Sequence, residues 1–531
     1  MIFKGPKEWR WIWLGLLLIP SAYLSFMWPV FTDEIAWKWI SSRLWWDDGY
    51  AVTLYPQCSV MGKVKVPALF LPVWALESSL YGLAPAILSL RYLGIFVLVL
   101  WGLVLWQLLK TISKLSQSDL RDLLALVASV CLMGGLPFLL VMNRPEQVLL
   151  LIATAMVWLP FLHPRDPLRK YGIGSSFVFL GLLFFSQHAK ALFFLPLLLL
   201  AAWKLRLSKK IRIGVMFSLL VFSAQGYLFF VEHTQCNNHF IKAAFSKMMI
   251  SPMALATAPA ESLRAMVSNV LNFVDYVRNI HVLDTYPQHW LPTNYGFSMG
   301  AKFLNVLLDL FFVVWMTASC WGVFRNSVLR RQRDRSTEVS DLSLAMGIGL
   351  GGMAVFQSSK TFYDSALVLP LLIMMGSGVV EKRTLKLLSS IALGLATFSV
   401  ALVCYRFWPN LHQEWRGVGR LVQQEYSVKP AYQKGLERRL IALSEKCGLQ
   451  NTIGKKHLVM DDLTYPYFMK TQEPYHAVYV LGWWGKMSIE NPIEFLKSKG
   501  SCGIISQCHW LPEELLSRAV RDDDLCCLPE F

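Results

Sequence analysis

The chain has 531 residues, 55% of them hydrophobic, a net charge of +16 and a mean hydropathy of +0.42. Soluble domains hold roughly 45–50% apolar residues, and the excess here is concentrated in runs of about 15–22 residues, the length that crosses a bilayer as a helix. The charge does not point to nucleic acid. Basic residues cluster in short segments between the apolar runs: Lys4, Lys7 and Arg10; Lys110, Lys114 and Arg121; Arg165, Arg169 and Lys170; Lys204 to Arg212; Arg325 to Arg335; Lys382, Arg383 and Lys386. They alternate along the chain as cytoplasmic loops do, so the charge is topology information.

The first apolar run, Trp11 to Val30, is followed by no small-residue cleavage site and reads as a retained anchor. Directly after it come two adjacent carboxylates, Asp33 and Glu34, in an outer segment, 31–65. The stretch 66–90 is apolar but carries Pro72, Glu77, Gly82 and Pro85. It reads as interfacial or partly re-entrant helix, with a pair of extra spans as the alternative. Further runs lie near 91–109, 122–142, 147–162, 172–187, 191–203 and 211–231. A second long outer segment, 232–299, holds His233, His239, His281, His289, Asp275 and Asp284. The last runs lie near 300–323, 342–357, 365–380 and 387–405. The expected fold is thus an α-helical polytopic membrane protein with about eleven transmembrane helices, since only helices satisfy their own backbone in lipid.

A cytoplasmic N-terminus and an odd number of spans place the C-terminus outside. After Arg406 the composition turns mixed and charged, and short apolar runs at His457–Met460, Ala477–Leu481, Gly503–Ser506 and Leu525–Leu528 alternate with helical stretches. Residues 406–531 are therefore expected to form a small extracytoplasmic α/β domain. Cys131, Cys320 and Cys404 fall in apolar spans as packing residues. Cys58, Cys236, Cys447, Cys502, Cys508, Cys526 and Cys527 fall outside, where an oxidising compartment permits disulfides whose pairing the sequence leaves open.

This orientation gathers charges at the outer ends of the spans: Asp33 and Glu34, Lys63 and Lys65, Arg144 and Glu146, His188 and Lys190, Lys360 and Asp364. Lys and Arg suit an anionic, phosphate-bearing substrate, and a carboxylate suits removal of a proton from a hydroxyl nucleophile. Each residue also has a plainer reading. Asp33 and Glu34 could cap a helix, Arg144 and Glu146 could be a surface pair, and Lys190 and Lys360 could snorkel to headgroups.

In order and spacing these segments resemble the GT-C class of membrane glycosyltransferases, and within it the aminoarabinose transferase and protein O-mannosyltransferase group. The early acidic motif is similar to Phe31-Thr-Asp33-Glu34, and the Lys-Pro-Pro segment to Lys65-Val-Pro67 through Tyr81-Gly82 and Arg91-Tyr92, with Val66 in place of the first Pro. The second acidic loop resembles Asn143-Arg144-Pro145-Glu146, the later Lys turn His188-Ala-Lys190 with Pro196 downstream, and the late Lys…Tyr…Pro segment Lys360 to Tyr363 through Pro370. The resemblance covers residues 1–405. It implies inverting transfer of a monosaccharide from a polyprenyl-phosphate donor to a lipid, glycan or protein acceptor at the outer face of the bacterial cytoplasmic membrane.

In that scheme Asp33 is the base, with Glu34 and Glu146 positioning acceptor or metal. Lys65, Arg144, Lys190 and Lys360 grip the donor phosphate, His188 joins them in binding substrate, and Tyr363 lines the lipid-phosphate pocket. A divalent cation, Mg or Mn, is compatible with Asp33, Glu146 and His188. Rival readings are a flippase for a lipid-linked saccharide, an O-antigen ligase or polymerase, and a structural subunit organised around 406–531.

Overall fold

The computed structural model of the chain describes residues 6–27, 34, 38, 42, 45, 50–52, 63–81, 89–116, 119–163, 166–234, 249–250, 252–278, 280, 299–326, 336–358, 360–418, 436–449, 457–461, 464, 475–476, 491–498 and 501–529. By its contacts the chain divides into two compact units. One comprises Met1–Trp28, Tyr92–Phe230 and Lys247–Leu411; the other comprises Pro29–Arg91, Val231–Ser246 and His412–Phe531.

The first unit is helical. Helix forms at each of the eleven apolar runs, but not always at spanning length. Among the described residues six helices are long and apolar enough to cross a membrane: Leu90–Ser116, Pro167–Gln187, Lys209–Val231, Met299–Phe324, Glu338–Phe356 and Lys382–Tyr405. The first run gives Pro6–Met27, of 22 residues, and four other runs give the shorter helices Leu120–Cys131, Pro145–Trp158, Leu195–Lys204 and Asp364–Ser377, of 12, 14, 10 and 14 residues. At 1.5 Å per residue these four are about 15–21 Å long, against a hydrocarbon core of about 30 Å.

Local chemistry explains the breaks. The run near 122–142 stops at Cys131 because Gly134 takes φ +56°, a left-handed conformation that suits glycine, and because the Ile280 carbonyl lies where a Cβ would stand. The helix resumes at Leu136–Leu139. The run near 191–203 begins as a tight 3-10 segment, Ala189–Phe194, before Leu195–Lys204.

Asp364–Ser377 is the centre of this unit, buried at every position and packed against Pro145–Trp158, Met299–Phe324 and Ser336–Phe356. A helix that is apolar all round belongs in the middle of a bundle. Trp315 anchors one flank by donating from Nε1 to the Leu372 carbonyl at 2.9 Å. The turn before Pro145–Trp158 is pressed onto the Ser89–Ser116 helix. The Val141 carbonyl occupies the place of a side chain at Gly94, and the Gln147 amide donates to the Gly94 carbonyl at 2.7 Å. That contact fixes the segment carrying Asn143, Arg144 and Glu146.

In the second unit, strands β1 (Tyr50–Val52) and β2 (Lys63–Lys65) pair antiparallel, with Tyr50 opposite Lys65. Helix Leu71–Tyr81 follows β2. Further on, β3 (His457–Met460), β4 (Tyr475–His476), β5 (Ser501–Gln507), β6 (Val520–Asp522) and β7 (Leu525–Leu528) form one sheet in the order β4-β3-β5-β7-β6. The β4-β3-β5 pairs are parallel, and β7 pairs antiparallel with β5 and β6. Val459, Leu496, Ile504, Leu515, Cys526 and Leu528 pack into its core. Among the described residues two disulfides close it: Cys447–Cys527 ties the end of helix Leu436–Lys446 to β7, and Cys508–Cys526 ties the end of β5 to β7. Cys131, Cys320 and Cys404 are free thiols. Helix Lys382–Val418 runs on through position 406.

Candidate functional site

Three polar turns of the first unit meet in one buried cluster. Arg144 and Glu146 come from the start of Pro145–Trp158, Lys190 from the 3-10 segment after Gln187, and Tyr363 and Asp364 from the start of the central helix. The Lys190 ammonium is ion-paired with both the Glu146 and the Asp364 carboxylates. Arg144 Nε lies 3.6 Å from the second oxygen of Glu146. The Tyr363 ring sits under both cations, its centroid 4.1 Å from the Arg144 guanidinium carbon and 5.0 Å from Lys190 Nζ. All four charged residues are buried. Two cations face two anions, which is how buried charge is tolerated.

Asp364 is held from its other side. Its Oδ2 accepts from the Thr361 backbone N–H at 2.7 Å, the Thr361 hydroxyl at 2.6 Å and the Gln357 amide at 2.7 Å. Gln357 in turn accepts from the Tyr276 hydroxyl at 3.1 Å. His188 caps the 3-10 segment, its Nδ1 accepting from the Lys190 backbone N–H at 3.2 Å.

Lys360 stands on the flank. Its ammonium donates to the Asn269 carbonyl at 2.9 Å and the Gln357 carbonyl at 3.1 Å, and lies 5.5 Å from the Tyr276 ring centroid. Burial lowers its pKa from the usual lysine value, with Asp275 and Asp364 pulling the other way.

The second unit holds another set of buried charges. Glu34 pairs with Arg91 at 3.3 Å, both fully buried. Lys38 pairs with Glu77 at 3.1 Å and lies 5.3 Å from the Tyr81 ring centroid.

The structure thus brings together four of the expected site residues, Arg144, Glu146, Lys190 and Tyr363, with His188 beside them and Lys360 one hydrogen-bonded step away. Glu34 is tied to Arg91. Asp33 lies outside the described residues, as do His239, His281, His289 and Asp284 and the side chains of Lys65 and His233. Asp364, Gln357 and Tyr276 received no role from the sequence, although they complete the cluster. Asp364 and Gln357 bound the short polar turn 357–364, a signal in itself; Tyr276, one of several aromatics in the long segment 232–299, offers none.

Among the described residues no group of three or more His, Cys, Asp or Glu could hold a metal ion. Glu146 and Asp364 already share a cation, the Lys190 ammonium, so these two carboxylates do not fit a divalent ion as they stand. The cluster can instead exchange partners. A phosphate, if one entered, would compete with Glu146 and Asp364 for Lys190 and Arg144.

No family model matches the chain, and no curated protein does. Among solved structures, the Archaeoglobus fulgidus oligosaccharyltransferase tethered to an acceptor peptide with the NVT sequon aligns at TM-score 0.45 and 12% identity, over 96% of this chain and 70% of that one. The same organism's enzyme in complex with Zn and sulfate gives 0.43 and 10%, over 94% and 68%. Archaeal AglB from A. fulgidus, in complex with an inhibitory peptide and a dolichol-phosphate, gives 0.43 and 11%, over 95% and 70%. Scores at this level place the chain in no family.

Proposed function

We propose that the chain is an integral membrane glycosyltransferase that moves a monosaccharide from a polyprenyl-phosphate donor to a lipid, glycan or protein hydroxyl at the outer face of the bacterial cytoplasmic membrane. The acceptor oxygen attacks the anomeric carbon while the bond from that carbon to the phosphate oxygen breaks. The electron pair leaves with polyprenyl phosphate, and Asp33 takes the hydroxyl proton. A single displacement inverts the anomeric centre. Lys190 and Arg144 balance the phosphate charge, helped by Lys65 and Lys360, while Glu146 and Asp364 hold the two cations until the donor arrives. Glu34, the neighbour of Asp33 in sequence, is paired with Arg91.

One observation carries this assignment: Arg144, Glu146, Lys190 and Tyr363, spread over 220 positions of sequence, form one buried cluster of charges around an aromatic ring. Ionisable groups are costly in a membrane protein unless they work. The two disulfides fit a C-terminal segment in an oxidising, periplasmic compartment.

The test is incubation of purified protein in lipid nanodiscs with a panel of polyprenyl-phosphate sugars and acceptors, reading release of polyprenyl phosphate. Wild type should turn over at least one donor. Asp33→Asn should keep its thermal stability and donor binding while transfer falls by at least about 100-fold, as for loss of a general base. Full activity in that variant removes the role of Asp33, and no turnover of any donor removes the enzyme.

A carrier for the same lipid-linked saccharide is favoured by one feature, the placement of the cluster at the starts of two short helices. Movement of donor across sealed vesicles without sugar transfer would favour it instead.

A further inference from the structure

Helix Pro259–Leu271 presents three distinct faces. Each residue turns the helix by about 100°. Ser262 and Asn269 fall on one side and are buried. The Asn269 amide donates to the Val355 carbonyl at 2.8 Å and to the Ser358 hydroxyl at 3.1 Å, fastening the helix to the end of Ser336–Phe356. The Lys360 bond to the Asn269 carbonyl adds a second fastening. Glu261, Arg264 and Ser268 lie together on another side and are exposed. On the third side Leu263, Val267, Val270 and Leu271 fall within an arc of about 100° and are 62%, 55%, 48% and 74% exposed.

A globular helix buries its apolar stripe and shows its polar face to water. Here the small polar residues are turned inward and the apolar stripe outward. Protein, hydrocarbon and water would each claim one side of such a helix, which is the situation of a helix lying in a membrane interface. The apolar stripe also continues a surface already suited to lipid. Ser336–Phe356, the helix it is fastened to, is of spanning length and exposes Leu344 and Ile348. The fastening lies at the end of that span, next to Gln357, so the helix is held near the depth where hydrocarbon gives way to headgroups.

We infer that Pro259–Leu271 is an interfacial helix whose Leu263, Val267, Val270 and Leu271 are embedded in the acyl chains of the adjacent leaflet, beside the turn that carries Lys360 and Asp364. The partner of this surface is membrane lipid. The assignment is independent of whether sugar is transferred.

The experiment uses the full chain in nanodiscs of phosphatidylethanolamine and phosphatidylglycerol. The photo-reactive residue p-benzoylphenylalanine is placed singly at 263, 267, 264 and 348, and adducts are identified by mass spectrometry after illumination. Position 348, on the exposed side of a spanning helix, reports whether the bilayer surrounds the first unit at all. Lipid adducts are expected at 348, 263 and 267, with about tenfold less at 264 on the charged side. Lipid adducts at 348 with none at 263 and 267 overturn the inference. So do adducts at 263 and 267 to a second copy, another protein or a distant segment of the same chain. No lipid adduct at 348 removes the membrane placement itself, and the inference with it.

Discussion

The buried cluster of the membrane unit and the sheet of the second unit solve the same problem by opposite means. Around Lys190, four charges are buried with no covalent link among them, each offset by a neighbour of opposite sign. In the sheet the buried carboxylate of Asp461 is held by hydrogen bonds. It accepts from the Thr464 N–H and hydroxyl at 2.9 Å each and from the Gln507 N–H at 2.8 Å, and two disulfides hold the surrounding strands. The first unit buries long apolar helices against one another, and that burial can offset a costly ion cluster. The sheet has a small core, and small cores gain from covalent staples. Opposite charges hold one another in the helical unit, and sulfur is used where apolar area is scarce.

The largest effect that would sharpen this contrast is reduction of the disulfides. Cys447 and Cys527 are 80 positions apart, so chain entropy alone makes their bridge worth about 4–5 kcal/mol. Cys508–Cys526, closing 18 positions, is worth about 3 kcal/mol. The second loop is nested in the first, so the two do not add. Hydrogen exchange with and without reductant should show β3, β5 and β7 losing protection while Asp364–Ser377 keeps it. Unchanged exchange in the strands would show that the core suffices without sulfur.

Nearly as large is the effect of Lys190→Met, which leaves Glu146 and Asp364 buried without their shared cation. Breaking a buried pair in this way costs about 3–5 kcal/mol, read as a lower melting temperature in detergent. Asp364→Asn in the same chain should recover part of it, with a coupling of about 1–3 kcal/mol. Strictly additive losses would mean that the two side chains do not act as one unit.

Much of this architecture was legible beforehand, and the failures have physical causes. Apolar runs located the helices because composition reports burial directly. Length was harder: Gly134-Gly135 and Pro137 mark a break after Cys131, but the Ile280 carbonyl that meets Gly134 comes from a segment far along the chain. Arg144, Glu146, Lys190 and Tyr363 could be found from their place at the ends of apolar runs. Asp364 was visible as a charge there but reads locally as an acidic residue opening a helix, and only its pairing with Lys190 reveals its part. Tyr276 and Asn269 carry no signal that separates them from other polar or aromatic loop residues.

The smallest effect divides the two roles that Lys360 can have. Its sequence position suggests a grip on phosphate, whereas its bonds to the Asn269 and Gln357 carbonyls make it a fastening between helix Pro259–Leu271 and the turn before Asp364. Lys360→Met keeps the stem and removes the donor. If fastening is its work, the change should cost about 1–2 kcal/mol, with faster hydrogen exchange confined to 259–271 and donor affinity kept within about threefold, less than 1 kcal/mol. If the ammonium leaves those carbonyls to hold the donor, exchange in the empty protein should change little and donor affinity should fall by at least about tenfold, as for a lost charge-assisted bond. The ion cluster behind it, held by Gln357 and Thr361, should persist in either case, because neither of those bonds passes through Lys360.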